Sequence, residues 1–268
     1  MTIPAPAPTA ADHRIIVALD FDGRAGAEAL VGRLGDACAS YKIGLELLTA
    51  AGPELVRELV GRGHEVFLDL KLFEIPNSVV GAVRAAGALG ASMVTVHSMG
   101  GTGIMAAAVE AARDFPGLRV LALTVVTSMT GSDLADIGIG ADPDEQVLRL
   151  ARLAAEAGCD GVIASPREAG PLRALLGHGP LIVTPGVTLP GVTLPGGTLP
   201  GGTPPDGVPA GGGLAGGEAG GHARVGSARA AFGAGASHIV VGRSVTRAPD
   251  PLDALRRISA DLDRRRTP

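Results

Sequence analysis

Eight times along this chain a short apolar, β-branched run gives way to a longer stretch rich in Ala, Leu and Arg. The runs are RIIVALD (14–20), YKIG (41–44), EVFLDLK (65–71), SMVTVH (92–97), RVLALTVV (119–126), DGVIAS (160–165), PLIVTPG (180–186) and SHIVVGR (237–243). Short runs of this kind read as buried strands. Between them, stretches such as AEALVGRLGDAC, GPELVRELVGRG, SVVGAVRAAGALG, DEQVLRLARLAAEAG and SPREAGPLRALLG space their apolar residues as helices do. Strand–helix alternation argues for a parallel sheet with helices outside it. Eight such units close into a (β/α)8 barrel. An open doubly wound sheet is the alternative, but it calls for GxGxxG after an early strand. GGTGIM at 100–105 has the wrong spacing, follows the fourth strand and reads as a tight turn.

The 268 residues suit one barrel domain. The hydrophobic fraction of 46 % can fill a core, and with aromatics at only 2 % that core is built from Ala, Val, Leu and Ile. A net charge of −4 without a basic run argues against nucleic acid as a partner. The Arg264–Arg266 triplet reads as a solvated helix end. Cys38 and Cys159 stand in no metal-binding spacing, so no metal site is expected from them. They read as reduced, buried thiols, which suits the cytoplasm. No segment has the roughly 18 continuous apolar residues of a membrane helix. Residues 1–12 lack the features of a secretory signal and read as a loose tail.

A barrel gathers its active site at the C-terminal ends of its strands. Those ends are Asp20, Lys42, Asp69 with Lys71, His97, Thr124 with Ser128, Ser165, Pro185 with Gly186, and Gly242 with Arg243. Nearly every strand ends in polar or Gly residues, while its start and middle stay apolar. In FLDLKLFEIPNSV (67–79), Asp69 and Lys71 lie two apart and share a face of an extended strand. Asp20, Lys42 and Glu74 would join them in an array of alternating charge. A lysine between carboxylates stays protonated and is suited to donating a proton rather than to forming a Schiff base. Carboxylates held beside a substrate anion disfavour that ground state. The array therefore suits a reaction that loses a negative group and then collects a proton. Read structurally, the same charges are a salt-bridge network sealing the barrel mouth. His97, a lone histidine, reads as a satisfied rim residue.

VALDFD (17–22), YKIGLELL (41–48), FLDLKLFEIPNSV (67–79), TVHSMGG (95–101), LTVVTSM (123–129), GVIASPREA (161–169), LIVTPG (181–186) and HIVVGRSVTRAPDP (238–251) together resemble the orotidine 5′-phosphate decarboxylases. The resemblance runs in order over about residues 13–185 and 222–262. It implies a cofactor-free and metal-free (β/α)8 decarboxylase, a homodimer with active sites at the interface, that converts orotidine 5′-monophosphate to UMP. It also implies roles. Lys42, Asp69 and Lys71 would form the charged array, with Lys71 protonating C6 of the pyrimidine. Glu74 and Ser78 would reach into the partner subunit's site. Asp20 would bind the ribose and Ser128 the pyrimidine ring. Arg243, Gly242 and the loop after strand seven, beginning at Pro185 and Gly186, would hold the phosphate.

The chain departs from the family pattern in two places. Glu74 and Ser78 stand where the family usually has Asp and Thr. A side chain one methylene longer matters in a preorganised site, where about 1 Å of misplacement costs on the order of a hundredfold. The loop after strand seven is a decaying five-residue repeat, VTLPG-VTLPG-GTLPG-GTPPD-GVPAG over 187–211, followed by a Gly/Ala tract to Gly221. Such a composition forms turns or disorder rather than a core. No arginine stands near Thr188, where the family's is expected, and His222 falls near the place of the family's Gln. Two other readings follow: a nucleotide-binding relative without catalysis, and a sister sugar-phosphate enzyme assisted by magnesium.

Overall fold

The structure, a computed structural model, describes residues 11–188 and 226–263. Its strands are β1 (Ile15–Ala18), β2 (Ser40–Gly44), β3 (Glu65–Leu72), β4 (Met93–His97), β5 (Arg119–Leu123), β6 (Gly161–Ile163), β7 (Leu181–Thr188), β8 (Gly226–Ser227) and β9 (His238–Val241). All pairings are parallel. β1 pairs with both β2 and β9, and β7 pairs with both β6 and β9, so the ring is closed. β8 is a two-residue ladder on the far end of β7. The eight remaining strands form the expected (β/α)8 barrel.

The helices are α1 (Arg24–Leu34), α2 (Leu45–Ala51), α3 (Glu54–Gly61), α4 (Pro76–Ala88), α5 (Gly101–Ala112), α6 (Gly131–Asp136), α7 (Pro143–Glu156), α8 (Ala169–Leu176), α9 (Ala228–Ala234), α10 (Arg243–Thr246) and α11 (Pro251–Asp263). Local chemistry sets the starts that matter for the mouth. Pro76 opens α4, where a missing N–H costs nothing, so the chain leaves β3 through only three residues. Thr130 and Asp133 form a reciprocal cap at α6, which fixes the exit from β5. GGTGIM turns at Gly101, φ +82°, and then runs into α5.

The apolar residues divide into two sets. The larger set lies between barrel and helices and includes Val17, Tyr41, Leu59, Val83 and Leu150. The smaller fills the lumen: Ile16, Ala18, Phe67, Leu121, Val183 and Val240 pack together there. This is a solid plug rather than a pore, and it forms the floor beneath the charged rim. Cys38 and Cys159 are free and buried.

The repeat was expected as a loop from residue 187, but its first two residues are strand. Val187 and Thr188 continue β7, because they pair with Gly226 and Ser227 and Val187 also pairs with Val241. The rest of the repeat and the Gly/Ala tract lie outside the described residues, as do residues 1–10 of the expected tail and the Arg264–Arg266 triplet. Asp12 is tied down: its carboxylate accepts from the backbone N–H of Arg14 at 2.9 Å.

Phe67 is the bulkiest side chain of the plug, so Phe67→Ala is expected to cost about 3–5 kcal/mol in urea unfolding. A loss below about 1 kcal/mol would contradict a lumen packed around it.

Candidate active site

The centre of the rim is Asp69. β3 delivers it into the mouth, directly above Phe67 on the same strand face. Its side chain is 15 % exposed, and a carboxylate so buried needs partners. It has three. Oδ2 lies 2.9 Å from Lys71 Nζ and 3.6 Å from Lys42 Nζ, and Oδ1 accepts from the Thr95 hydroxyl at 3.1 Å. Burial alone would raise the Asp69 pKa. The two lysines and the hydrogen bonds from Lys71 and Thr95 outweigh it and hold the pKa below the usual carboxylate value.

Lys42 rises from the lumen face of β2, its side chain only 11 % exposed. Its ammonium also meets Asp20 Oδ1 at 3.0 Å. The β1–β2 ladder continues one residue past β1, with Leu19 N–H donating to Lys42 O, and this aims Asp20 at the lysine. Asp20, Lys42, Asp69 and Lys71 therefore form one connected chain of charge.

Lys71 does not sit on a regular strand. Leu68 pairs with Val94 and Leu72 with Val96, so Asp69, Leu70 and Lys71 stand opposite one residue of β4, Thr95. This is a bulge, and within it Lys71 has φ +50°, the only positive φ of a non-glycine among the described residues. Simple alternation would have put Asp69 and Lys71 on one face about two rises apart. The bulge instead folds the ammonium back onto the neighbouring carboxylate. Strained backbone of this kind concentrates at functional sites.

The other expected residues are placed as follows. Glu74 is brought to the rim but not into the array. It is exposed, and its Oε1 accepts from the next backbone N–H, of Ile75, at 2.7 Å. The physical reason is the three-residue exit from β3, which turns the chain outward before Pro76 starts α4. Ser78 is exposed in the first turn of α4. Ser128 is exposed in the turn between β5 and the cap of α6. Pro185 and Gly186 fall at a register break between β7 and β9, with Gly186 at φ +81°. Gly242 links β9 to α10, and a Cβ there would lie 3.8 Å from Asp20 Oδ2, so this end of β9 borders the charged chain. Arg243 opens α10, half-buried. His97 accepts from Met99 N–H through Nδ1 at 3.3 Å, and burial, then Lys71, lowers its pKa.

Thr95 is the residue that sequence reasoning missed. Its signal was present: in MVTVH it is a hydroxyl at the same strand parity as Met93 and His97, in an otherwise apolar run.

A fixed carboxylate beside a fixed ammonium at the mouth of a dry barrel can do two things. It can press on an incoming anion, and it can hand a proton to a defined point. A family model described as Orotidine 5′-phosphate decarboxylase / HUMPS family matches residues 13–258. The chain belongs to this family. Orotidine 5′-phosphate decarboxylase of Halorhodospira halophila is 43 % identical over 263 residues, covering 98 % of each chain. That of Alkalilimnicola ehrlichii is 44 % identical over 250 residues, covering 93 % of this chain and 96 % of the other. The crystal structure of orotidine 5′-phosphate decarboxylase from Lactobacillus acidophilus superposes with a TM-score of 0.74 at 30 % identity, covering 94 % of this chain and 100 % of that one. The similarity to these orotidine 5′-phosphate decarboxylases thus spans the barrel and every strand end described above.

The depressed Asp69 pKa carries a sign. Its stabilisation is present above the ordinary carboxylate value, about 3.9, and is lost only as the pH falls through the lower folded value. A carbon NMR titration of the Asp69 carboxyl is expected to show no inflection from pH 8 down to about 3.9. An inflection near neutrality would contradict the paired, ionised carboxylate.

Proposed function

We propose that this chain is a cofactor-free orotidine 5′-phosphate decarboxylase, converting orotidine 5′-monophosphate to UMP and CO2 in pyrimidine nucleotide synthesis, with Lys71 as the proton donor. The observation that carries the reading is the Asp20–Lys42–Asp69–Lys71 chain of ion pairs at the C-terminal mouth of the barrel. The Asp69 carboxylate would stand beside the substrate carboxylate and raise the energy of the bound ground state. The bond from C6 to the carboxylate breaks, its electron pair stays on C6, and CO2 leaves. A proton then passes from Lys71 Nζ to C6, and solvent restores the lysine. The lysine's fixed contact with Asp69 supports this role, because a preorganised donor needs no rearrangement at the moment of transfer.

Asp20 would take the ribose hydroxyls and Ser128 the pyrimidine edge. Arg243, Gly242, Pro185 and Gly186 would hold the phosphate, on the loops after the last two barrel strands where such barrels bind it. Among the described residues no carboxylate pairs with the Arg243 guanidinium, which supports an unspent cation for that anion. Remote phosphate contacts supply binding energy for positioning the reacting ring.

The functional unit is a homodimer in this reading. Glu74 and Ser78 are exposed, and Phe73 and Ile75, flanking Glu74, are 61 % and 63 % exposed. Leu45, after β2, is 58 % exposed. Apolar groups of this size around an outward-turned acid support a surface covered by a second copy, with Glu74 and Ser78 entering its site. We place the enzyme in the cytoplasm, which its free buried thiols support. Among the described residues no helix is long and apolar enough to cross a membrane.

The test is turnover of orotidine 5′-monophosphate to UMP by the purified protein with EDTA present. Activity is expected to persist, and Lys71→Ala is expected to lower kcat roughly 10²–10⁴-fold. No turnover with UMP still bound would replace this reading with a nucleotide-binding relative. Turnover abolished by EDTA would favour metal-assisted chemistry. Mixing Lys71→Ala with Glu74→Ala subunits is expected to restore activity that neither has alone, because one site of the mixed dimer is intact. No restoration would contradict the shared site.

A further inference from the structure

Thr95 is the one residue of β4 facing the bulge of β3, and it is fully buried. Its hydroxyl makes two hydrogen bonds of opposite sense. Oγ1 accepts from the backbone N–H of Lys71 at 2.8 Å and donates to Asp69 Oδ1 at 3.1 Å. A hydroxyl has one proton to give, an amide N–H can only donate and an ionised carboxylate can only accept. The directions of both bonds are therefore fixed. One side chain ties together the backbone of the lysine and the carboxylate that its ammonium pairs with.

Lys71 needs such a tie. A non-glycine residue at φ +50° is strained, and it persists only where its surroundings over-determine it. An ordinary ladder would give its N–H a strand carbonyl. In the bulge the N–H donates to a side chain, and only a group that accepts there while donating to Asp69 satisfies both.

We propose that Thr95 is a positioning residue for the decarboxylation: its hydroxyl locks Lys71 in the left-handed conformation and Asp69 in its rotamer, and thereby sets where the proton is delivered. The proposal rests on the reading of Lys71 as proton donor. Thr95 touches no substrate in it. The bland alternative is a buried threonine that only fills space between strands.

Thr95→Val separates the two, since valine keeps the shape and removes both hydrogen bonds. Thr95→Ser keeps the hydroxyl and loses one methyl. In the valine variant kcat is expected to fall about 10²-fold, the effect of a misplacement near 1 Å, with KM changing much less. The acid limb of its kcat profile is expected to move to higher pH, because Asp69 loses a donor that favours its charged form. The serine variant should recover most of kcat and leave the acid limb in place. A space-filling role would lower the melting temperature of the serine variant, which loses a methyl, spare the valine variant, and leave kcat and the acid limb unmoved in both. Thr95→Val with wild-type kcat, or Thr95→Ser as impaired as Thr95→Val, overturns the proposal. Should Thr95→Val not fold, Thr95→Cys, whose thiol is a weak donor and acceptor, is expected to show the same loss, and wild-type kcat there overturns the proposal. Failure of the decarboxylase reading is distinct, since it would appear as no turnover in the wild-type protein.

Discussion

A carboxylate buried between two ammonium groups organises the mouth of this barrel. Asp69 would be costly in its place without Lys42 and Lys71, and it is the carboxylate that the two lysines share. Lys42 comes up from the lumen and is shared with Asp20, which connects the first three strands. Lys71 comes from the same strand as Asp69, and only a break in that strand lets the two charges meet at 2.9 Å. The rim is therefore held together by its own ion pairs. Electrostatic catalysis depends on that condition, because dipoles and charges already in place need not reorganise during the reaction.

The rest of the fold serves that condition. The lumen plug centred on Phe67 gives Lys42 and Asp69 a dry floor, which strengthens each charge interaction above it. Short, capped exits from the strands fix the surrounding groups. Pro76 ends the three-residue link that turns Glu74 outward, and the Thr130–Asp133 cap holds the turn bearing Ser128. Glu74 is the residue for which the proposed role calls for a second copy of the chain. It faces solvent between two large exposed apolar side chains, a costly arrangement for a monomer and a natural one for a dimer.

Much of this was legible in the sequence, for physical reasons. Apolar β-branched runs alternating with amphipathic stretches leave few ways to bury both, and the strands fall where those runs lie. β3 was expected over 65–71 and spans Glu65–Leu72. β5 was expected to 126 and ends at Leu123, because the apolar Val125 and Val126 belong to the turn toward α6 rather than to the ladder. Asp20, Lys42, Asp69 and Lys71 could be grouped by strand-end position alone. The bulge could not. DLKL alternates as a regular strand does, and lysine carries none of the preference for positive φ that marks glycine or asparagine. Its geometry is imposed by Thr95 on the neighbouring strand, a tertiary contact that no local pattern reports. Glu74 is a related case: its charge suggested the rim, while the short link to α4 leaves it exposed.

In the proposed reaction Lys71, held by the bulge and by Asp69, delivers the proton to C6. A crystal structure of the protein with UMP bound tests it most directly. Lys71 is expected at positive φ with Nζ roughly 3–3.5 Å from C6, a near-attack separation, and still paired with Asp69. Another donor at C6, or Lys71 released from Asp69 and turned away from the ring, would contradict it.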